Sequence, residues 1–179
     1  MCDLSGKHGL IVGVANKRSI SWAIAQAAAA AGARLVLTYP SERLEENVRE
    51  LAATLDTPLV LPCDVTSDAQ IAALAQSIDR EFGGLDFMLH GAAFAPMAEL
   101  TNRFVQTSRE GFHTALDVSA YSLLALTSAC LPLLEKRGGG AVLTLTHIGS
   151  TRVFPNYNGM GVAKAAIETT VRYLASDLG

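Results

Sequence analysis

The sequence predicts an α/β protein built on a doubly wound parallel sheet with helices on both faces. Short apolar runs rich in branched residues recur along the 179-residue chain, and stretches of helix length separate them. Such runs are typical of strands that are buried on both faces. Regular alternation of strand and helix joins parallel strands through right-handed crossovers. The predicted fold is therefore Rossmann-like.

Each element follows from a particular segment of the chain. The predicted strands are HGLIVGV (8–14), RLVLTY (34–39), PLVLPCDV (58–65), LDFMLHGAA (85–93) and GAVLTLTHI (140–148). The predicted helices occupy residues 20–31, 41–55, 67–82, 108–137 and 157–178. Glycine directly follows the first, third and fourth helices, as expected at helix ends. Because no repeat or linker interrupts the pattern, we expect one domain over residues 1–179.

Composition and charge narrow the class of partner. The chain is 50% hydrophobic and 17% charged, its formal net charge is -3, and its lysines and arginines are scattered. This pattern indicates a globular protein and argues against nucleic acid or an anionic membrane as the main partner. We find no apolar N-terminal leader and no uncharged run of about 20 apolar residues. We therefore expect a soluble, cytoplasmic protein that binds a small molecule.

The three cysteines, Cys2, Cys63 and Cys130, are far apart in sequence and show no CxxC spacing. An odd number without such spacing argues against a disulfide framework or a zinc site. We predict ordinary packing roles for all three and no metal centre.

Ligands of open parallel sheets bind beyond the carboxyl ends of the strands, where strand order reverses. After the first strand, GVANKRSISWAIA places Gly13 in a turn and Ser19 before a helix, whose first N–H groups can hold a phosphate. The loop is not GxGxxG. Ser19 either donates to a phosphate or simply caps the helix, and the motif alone leaves both roles open.

Three further strand ends bear on a dinucleotide. Asp64 can accept from an adenine amino group beside the N–H of Val65, or it can cap the helix near Ser67. In HGAAFAP, small residues let backbone lie close to a ring. After the second strand, TYPSERL lacks both a ribose-binding acid and a basic cluster. NAD is therefore favoured over NADP, although Arg43 can reach a 2′-phosphate.

One tyrosine and one lysine in PNYNGMGVAK lie seven positions apart. In a helix this spacing brings Tyr157 and Lys164 to the same side about 10 Å apart. Both can then contact one elongated ligand. The alternative is a tyrosine at a helix start and a solvated lysine without a common ligand.

These motifs resemble those of the bacterial enoyl-acyl carrier protein reductases, the divergent branch of the short-chain dehydrogenase/reductase superfamily. The resemblance covers essentially all 179 residues and includes LSGKHGLIVGVANKRSISWAIAQ, CDVT, REGF, SAYS and RVFPNYNGMGVAKAAIETTVRYLASDLG. Its most specific elements are Tyr-x6-Lys in place of Tyr-x3-Lys and a Gly-x5-Ser loop in place of a triple-glycine loop.

The resemblance implies a reaction and a role for each matching residue. A hydride passes from NADH, with NADPH possible, to the β carbon of an enoyl thioester on acyl carrier protein, in fatty acid synthesis. Tyr157 would donate to the thioester oxygen and Lys164 would bind the nicotinamide ribose. The residues that fall on family cofactor positions are Gly13, Ser19, Ile20, Asp64 and Val65.

The chain departs from the family pattern in three places. His147 stands where the family has a second tyrosine, and it either donates a hydrogen bond to substrate or is bonded to backbone. Gly91, Ala92 and Ala93 stand where the family has Ser-Ile-Gly near the nicotinamide. Family members continue for several dozen residues past Gly179, with two more strands. We therefore expect the domain to be incomplete at its C-terminus.

Two alternatives to the reductase of enoyl thioesters stay open at this point. One is a short-chain reductase that acts on another carbonyl or enoyl substrate, suggested by His147 and the GAA segment. The other is a non-catalytic nucleotide-binding protein, suggested by the end of the chain at Gly179. For the enzyme, family resemblance implies a homotetramer.

Overall fold

The computed structural model describes residues 3–56 and 58–179 and contains one parallel sheet of five strands in the order β3-β2-β1-β4-β5. The strands are β1 (His8–Val12), β2 (Arg34–Tyr39), β3 (Leu59–Pro62), β4 (Phe87–His90) and β5 (Ala141–Thr144). The chain moves outward from β1 to β3 and then crosses back to β4. Strand order therefore reverses between β1 and β4, which confirms the doubly wound prediction.

Burial along the strands differs from the prediction at the two edges of the sheet. Strands β1, β2 and β4 are almost entirely buried, whereas β3 and β5 are partly exposed along their length. The prediction that all five strands are buried on both faces is wrong for these two, because each has a neighbouring strand on one side only.

In the part of the chain that the structure describes, seven α-helices connect and follow the strands. They are α1 (Ile20–Ala30), α2 (Glu42–Ala52), α3 (Asp68–Phe82), α4 (Met97–Thr101), α5 (Arg109–Leu116), α6 (Ser122–Glu135) and α7 (Asn158–Leu178). The predicted helix over 108–137 is α5 and α6 joined by a π-helical turn at Asp117–Tyr121. Helix α4 and two short 3-10 turns, Phe104–Gln106 and Ile148–Ser150, were not predicted from the sequence.

The chain divides into two compact units. The sheet unit comprises the residues up to Gly91 together with Leu126–Thr144 and contains all five strands. The helix unit comprises Ala92–Ala125 and Leu145–Gly179. We describe each unit by itself.

An ion-paired carboxylate ties three segments of the sheet unit together. Asp86, just before β4, accepts from Lys7 Nζ and the His8 amide, each at 2.9 Å, and from Arg137 Nε at 3.1 Å. Arg137 also donates to the Gly6 carbonyl. Burial alone would raise the pKa of Asp86, but the three donors outweigh it and lower that pKa to about 2.

The two cysteines that the structure describes have packing roles, as predicted. Cys63 and Cys130 are buried free thiols. Burial raises the pKa of Cys63 to about 11 and that of Cys130 to about 12. Thiols with such pKa values are protonated and unreactive at neutral pH. Cys2 lies outside the described residues.

The helical run Arg109–Glu135 is long and apolar enough to cross a membrane by length and composition alone. About 44% of its most apolar window is buried inside the protein. Core helices of globular proteins pass the same test, so this run is weak evidence for a membrane span.

Candidate functional site

In the sheet unit, the loop after β1 closes on one serine hydroxyl. Gly13 makes the turn with φ of 97°, in the left-handed region that favours glycine. Ser19 Oγ accepts from the amides of Ala15 and Asn16, each at 3.1 Å. Ser19 is the N-cap residue of α1, but its side chain makes no capping bond to the helix. The hydroxyl therefore shapes the loop, and the simple capping alternative is wrong.

This loop leaves donors free at the start of α1. The amides of Trp22 and Ala23 donate to the Ser19 carbonyl, whereas those of Ile20 and Ser21 have no acceptor among the described residues. The Ser19 hydroxyl accepts two bonds and keeps its own hydrogen to donate. No acidic residue lies in the first turn of α1. Free amides, a hydroxyl and the positive end of a helix are the donor set that binds a pyrophosphate.

Asp64 follows β3 and orders the chain ahead of α3. Its Oδ1 accepts from the amide of Thr66 at 2.9 Å and from the Thr66 hydroxyl at 2.8 Å. The cap of α3 is Ser67, whose hydroxyl accepts from the Gln70 amide. The alternative that Asp64 caps this helix is therefore wrong. The amide of the buried Val65 makes no bond among the described residues and is a free donor beside Asp64.

Gly91 lies at the end of β4, next to the end of β1. Its amide donates to the Val12 carbonyl at 2.9 Å. A β-carbon at Gly91 would collide with Ser21 Oγ and lie 2.8 Å from the Val12 carbonyl oxygen. Close packing of β4 against the start of α1 thus requires glycine here. The next residue, Ala92, begins the helix unit and is half-buried.

In the helix unit, three aromatic rings surround the start of α7. The rings of His147 and Tyr157 lie 4.1 Å apart between centroids, and that of Phe154 lies edge-on to His147 at 5.0 Å. Tyr157 is half-buried, and burial raises the pKa of its phenol. The phenol therefore keeps its proton at neutral pH and can donate a hydrogen bond.

The two alternatives for His147 turn out to be compatible. Its Nδ1 accepts from the Gly149 amide at 2.9 Å and so caps the short 3-10 turn. A ring nitrogen that accepts carries no hydrogen, so the neutral ring must carry its hydrogen on Nε2. His147 is thus bonded to backbone through one nitrogen and keeps a donor on the other.

Lys164 lies in α7, seven positions after Tyr157, and only 5% of it is exposed. Its ammonium donates to the Leu145 carbonyl at 2.7 Å, and burial lowers its pKa. The alternative of a solvated lysine is wrong. Two of its three hydrogens stay available for a ligand, since an ammonium has three donors and only this bond is observed among the described residues.

A pocket of about 490 Å³ opens beside Tyr157 within the helix unit. Apolar side chains form much of its wall, including Phe104, Phe154, Val162 and Ala165. A phenol donor at the wall of an apolar pocket suits a ligand with a carbonyl group and a hydrocarbon chain.

Sequence reasoning missed three residues that organise this region. The Gly149 amide holds His147, and Asn158 donates through its side chain to the carbonyls of Leu100 and Asn102. Glu168 accepts from the hydroxyl of Thr146, the residue before His147, at 2.5 Å. Of these three residues, only Asn158 could have been found from the sequence, because asparagine is more common than most residues where the backbone is left-handed.

A doubly wound sheet whose loop after β1 leaves backbone amides free, together with a tyrosine and a lysine seven positions apart at the start of α7, is typical of the short-chain dehydrogenase/reductase class. The chain belongs to the enoyl-(acyl carrier protein) reductase family, whose model matches residues 13–179.

Relatives and solved structures agree with this assignment. The chain is 50% identical over 182 residues to enoyl-[acyl-carrier-protein] reductase [NADH] FabI of Nostoc sp.. This alignment covers all of this chain and 70% of the Nostoc protein. The reductase of Anaplasma phagocytophilum, solved in complex with NAD, matches all of this chain and 68% of its own, with 42% identity and a TM-score of 0.95. The Bacillus cereus reductase, solved with NADP+ and indole naphthyridinone, gives 49% identity, a TM-score of 0.95 and coverage of 100% and 70%.

Proposed function

We propose that this protein reduces the trans-2 double bond of an enoyl thioester on acyl carrier protein, with NADH as the reductant, in fatty acid synthesis. Membership of the enoyl-(acyl carrier protein) reductase family and relatives named as NADH enzymes support this function. The observation that carries it is the half-buried phenol of Tyr157, which lies at the wall of an apolar pocket and next to the ring of His147.

The chemistry assigns one task to Tyr157. NADH, when bound, would supply a hydride to the β carbon of the substrate. Tyr157 would donate a hydrogen bond to the thioester oxygen as negative charge grows there, and the α carbon would then take a proton from solvent. Because burial raises the pKa of Tyr157, the donor stays protonated throughout the neutral range.

His147 provides a second donor through Nε2–H. The Gly149 amide holds Nδ1, so the ring presents its hydrogen on the opposite nitrogen without any change of tautomer. Two donors to one developing oxyanion are a common means of stabilising such a charge.

Lys164 holds the nicotinamide ribose through the hydrogens that Leu145 leaves free. Its anchoring bond of 2.7 Å fixes the direction of the ammonium. A buried ammonium also keeps positive charge near the reacting carbonyl, which favours the charged transition state.

In the sheet unit, we assign the pyrophosphate to the Gly13 turn, the Ser19 hydroxyl and the free amide of Ile20. Asp64 and the Val65 amide receive the adenine. We further assign the backbone of Gly91 and Ala92 to the nicotinamide side, because small residues let backbone lie close to a ring.

We further propose a single dinucleotide-binding domain that assembles as a homotetramer in the cytoplasm. One family match across residues 13–179 supports treating both compact units as one domain. Exposed apolar residues on α7, Val171, Tyr173 and Leu178, suit an interface between copies. Light scattering after size exclusion would measure the assembly, and a monomer at micromolar concentration would contradict it.

The reaction is tested by following NADH absorbance with a crotonyl thioester. We expect NADH consumption that requires both reactants and yields the saturated thioester. Tyr157→Phe should lower kcat about 100-fold or more and leave the Kd for NADH unchanged, since a donor aimed at transition-state charge contributes about 2.7 to 4 kcal/mol.

Tyr121→Phe is the matched control, because it removes an exposed phenol from the same compact unit. It should keep the parental rate. A Tyr157→Phe enzyme that reduces the thioester at the parental rate would remove Tyr157 from the mechanism.

A further inference from the structure

Tyr157 lies between two asparagines with unusual backbone. Asn156 has φ of 58° and Asn158 has φ of 29°. Among residues 3–56 and 58–179, no other residue except glycine has positive φ. Such backbone persists only where surrounding contacts hold it, and it concentrates at functional positions.

The contact that holds this segment comes from the Asn158 side chain. Its amide nitrogen donates to the Leu100 carbonyl at 3.1 Å and to the Asn102 carbonyl at 2.7 Å. These carbonyls lie at the end of α4 (Met97–Thr101), shortly before Phe104, which lines the same pocket as Tyr157. Both hydrogens of the amide are used, so this contact needs a side chain with two N–H donors.

A second contact, with the turn at Gly149, restricts the ring of Tyr157. A β-carbon at Gly149 would lie 2.5 Å from Tyr157 Cδ1, and one at Gly161 would lie 2.7 Å from the Gly149 carbonyl oxygen. The ring therefore packs against bare backbone of the turn that also bonds His147. Backbone of the segment around Leu100 and backbone of the Gly149 turn together leave the phenol little freedom.

We infer that Asn158 is a positioning residue that fixes the Tyr157 phenol for catalysis by bonding the helix start to the backbone at Leu100 and Asn102. The inference rests on the proposed function of Tyr157. The same bonds connect the residue after Tyr157 to the backbone shortly before Phe104, which lines the same pocket. Misplacement of a catalytic group by about 1 Å can lower the rate by up to 100-fold.

The test compares glycine substitutions on the two sides of Tyr157. Asn158→Gly tolerates the positive φ but loses both hydrogen bonds. Asn156→Gly gains the same backbone freedom, and the Asn156 side chain makes no hydrogen bond among the described residues, so it is the matched control. We expect about a 10-fold fall in kcat for Asn158→Gly with unchanged NADH Kd, and less than about a 3-fold change for Asn156→Gly. Equal effects of the two substitutions would overturn the inference.

A double variant separates positioning from general stability. In a Tyr157→Phe background, Asn158→Gly should have little further effect on kcat, because the phenol that it positions is gone. The same 10-fold loss in both backgrounds would show a structural role and overturn the inference. If Tyr157→Phe alone kept the parental rate, the proposed function of Tyr157 would fail first, and the two failures are thus distinguishable.

A titration of the phenol tests the inference without any turnover. Subtracting the pH-dependent phenolate absorbance of Tyr157→Phe from that of the parent isolates Tyr157. Burial raises the pKa of this phenol, so a released ring in Asn158→Gly or Asn158→Asp should titrate closer to the ordinary value of about 10. An unchanged titration in both folded variants would contradict the inference.

Discussion

The two compact units differ in where they keep their large apolar side chains. Among the described residues, all but two of the largest fully buried side chains belong to the sheet unit, and the two exceptions are Leu123 and Ile167. Exposed large apolar side chains show the opposite distribution, since only Ile20 and Leu143 lie in the sheet unit. The sheet unit therefore contains most of the hydrophobic core, and the helix unit contains most of the apolar surface.

The candidate binding groups also differ between the two units. In the sheet unit, the candidate binding groups are mainly backbone amides at strand and helix ends. In the helix unit, they are the side chains of His147, Tyr157 and Lys164. We conclude that substitutions in the sheet unit should change stability most, whereas substitutions at these three positions should change chemistry with little loss of stability.

The largest expected effect on stability is at Asp86. Asp86→Asn should lower the free energy of unfolding by about 2 kcal/mol at pH 7, because a pKa reduced from 3.8 to about 2 represents that much preference for the ionised form. Urea denaturation at pH 7 measures it. Asp79→Asn is the control in the same unit, since Asp79 forms an exposed pair with Lys136 and should cost less than about 1 kcal/mol.

The same carboxylate predicts a direction of pH dependence. Its folded-state pKa lies below its unfolded value, so its contribution is complete above about pH 4 and is lost as pH falls through about 2. The difference in free energy of unfolding between the parent and Asp86→Asn should therefore become smaller as pH falls through that acid range. Curves that stay parallel from pH 7 to pH 2 would contradict this assignment.

Lys164 should separate binding from stability within the helix unit. Lys164→Met keeps an apolar stem and removes the ammonium, and we expect NADH to bind about 10-fold more weakly, or about 1.4 kcal/mol. Since burial lowers the pKa of Lys164, the charged form is disfavoured in the folded state, and the variant should melt at an equal or higher temperature.

Isothermal titration with NADH and a thermal melt give both quantities for Lys164→Met. In the parent protein, NADH affinity should fall as Lys164 loses its proton. Because burial lowers the pKa of Lys164, this fall should come at a lower pH than for a lysine with the ordinary pKa of 10.5. Unchanged affinity would exclude Lys164 from the cofactor site.

The sequence predicted the sheet well because its signal is local. All five strands and the helices that became α1, α2, α3 and α7 lie within a few residues of their predicted bounds. The π-helical turn at Asp117–Tyr121 and the short α4 were missed, because a five-residue element is too short to show a periodicity of its own.

The candidate site was predictable only in part. Spacing placed Tyr157 and Lys164 on one helix, but burial of the lysine and its bond to Leu145 depend on contacts distant in sequence. The same holds for the tautomer of His147, which the Gly149 amide determines. Residue types near Asp64 allowed two roles, and only the observed cap of α3 by Ser67 excluded the capping role.

A smaller effect is expected at His147, where two amide substitutions imitate the two ring nitrogens separately. His147→Asn can place an oxygen near the Nδ1 position and keep the Gly149 bond, but it has no donor at the Nε2 position. His147→Gln has a longer side chain that can restore this donor. We expect His147→Asn to lower kcat about 10-fold without lowering the melting temperature. We expect His147→Gln to have a kcat between those of the parent and His147→Asn.

A purely structural histidine predicts the reverse order for these variants. His147→Gln would then melt at a lower temperature than His147→Asn, and both would keep the parental kcat. Rates measured with saturating NADH and crotonyl thioester, beside thermal melts, decide between the two results.

The smallest effect is expected at Arg43, which tests cofactor choice in the sheet unit. Arg43 is exposed in the first turn of α2, and no ion pair involving it is observed among the described residues. Glu42 and Glu45 lie in the same turn, where their negative charge opposes a 2′-phosphate. Arg43→Ala should therefore change the Kd for NADH by less than about 2-fold and weaken NADPH only a few-fold, because an exposed charge pair contributes about 0 to 1 kcal/mol. Fluorescence titration with both cofactors measures this. Tighter binding of NADPH than NADH, lost on Arg43→Ala, would show instead that this turn selects the phosphorylated cofactor.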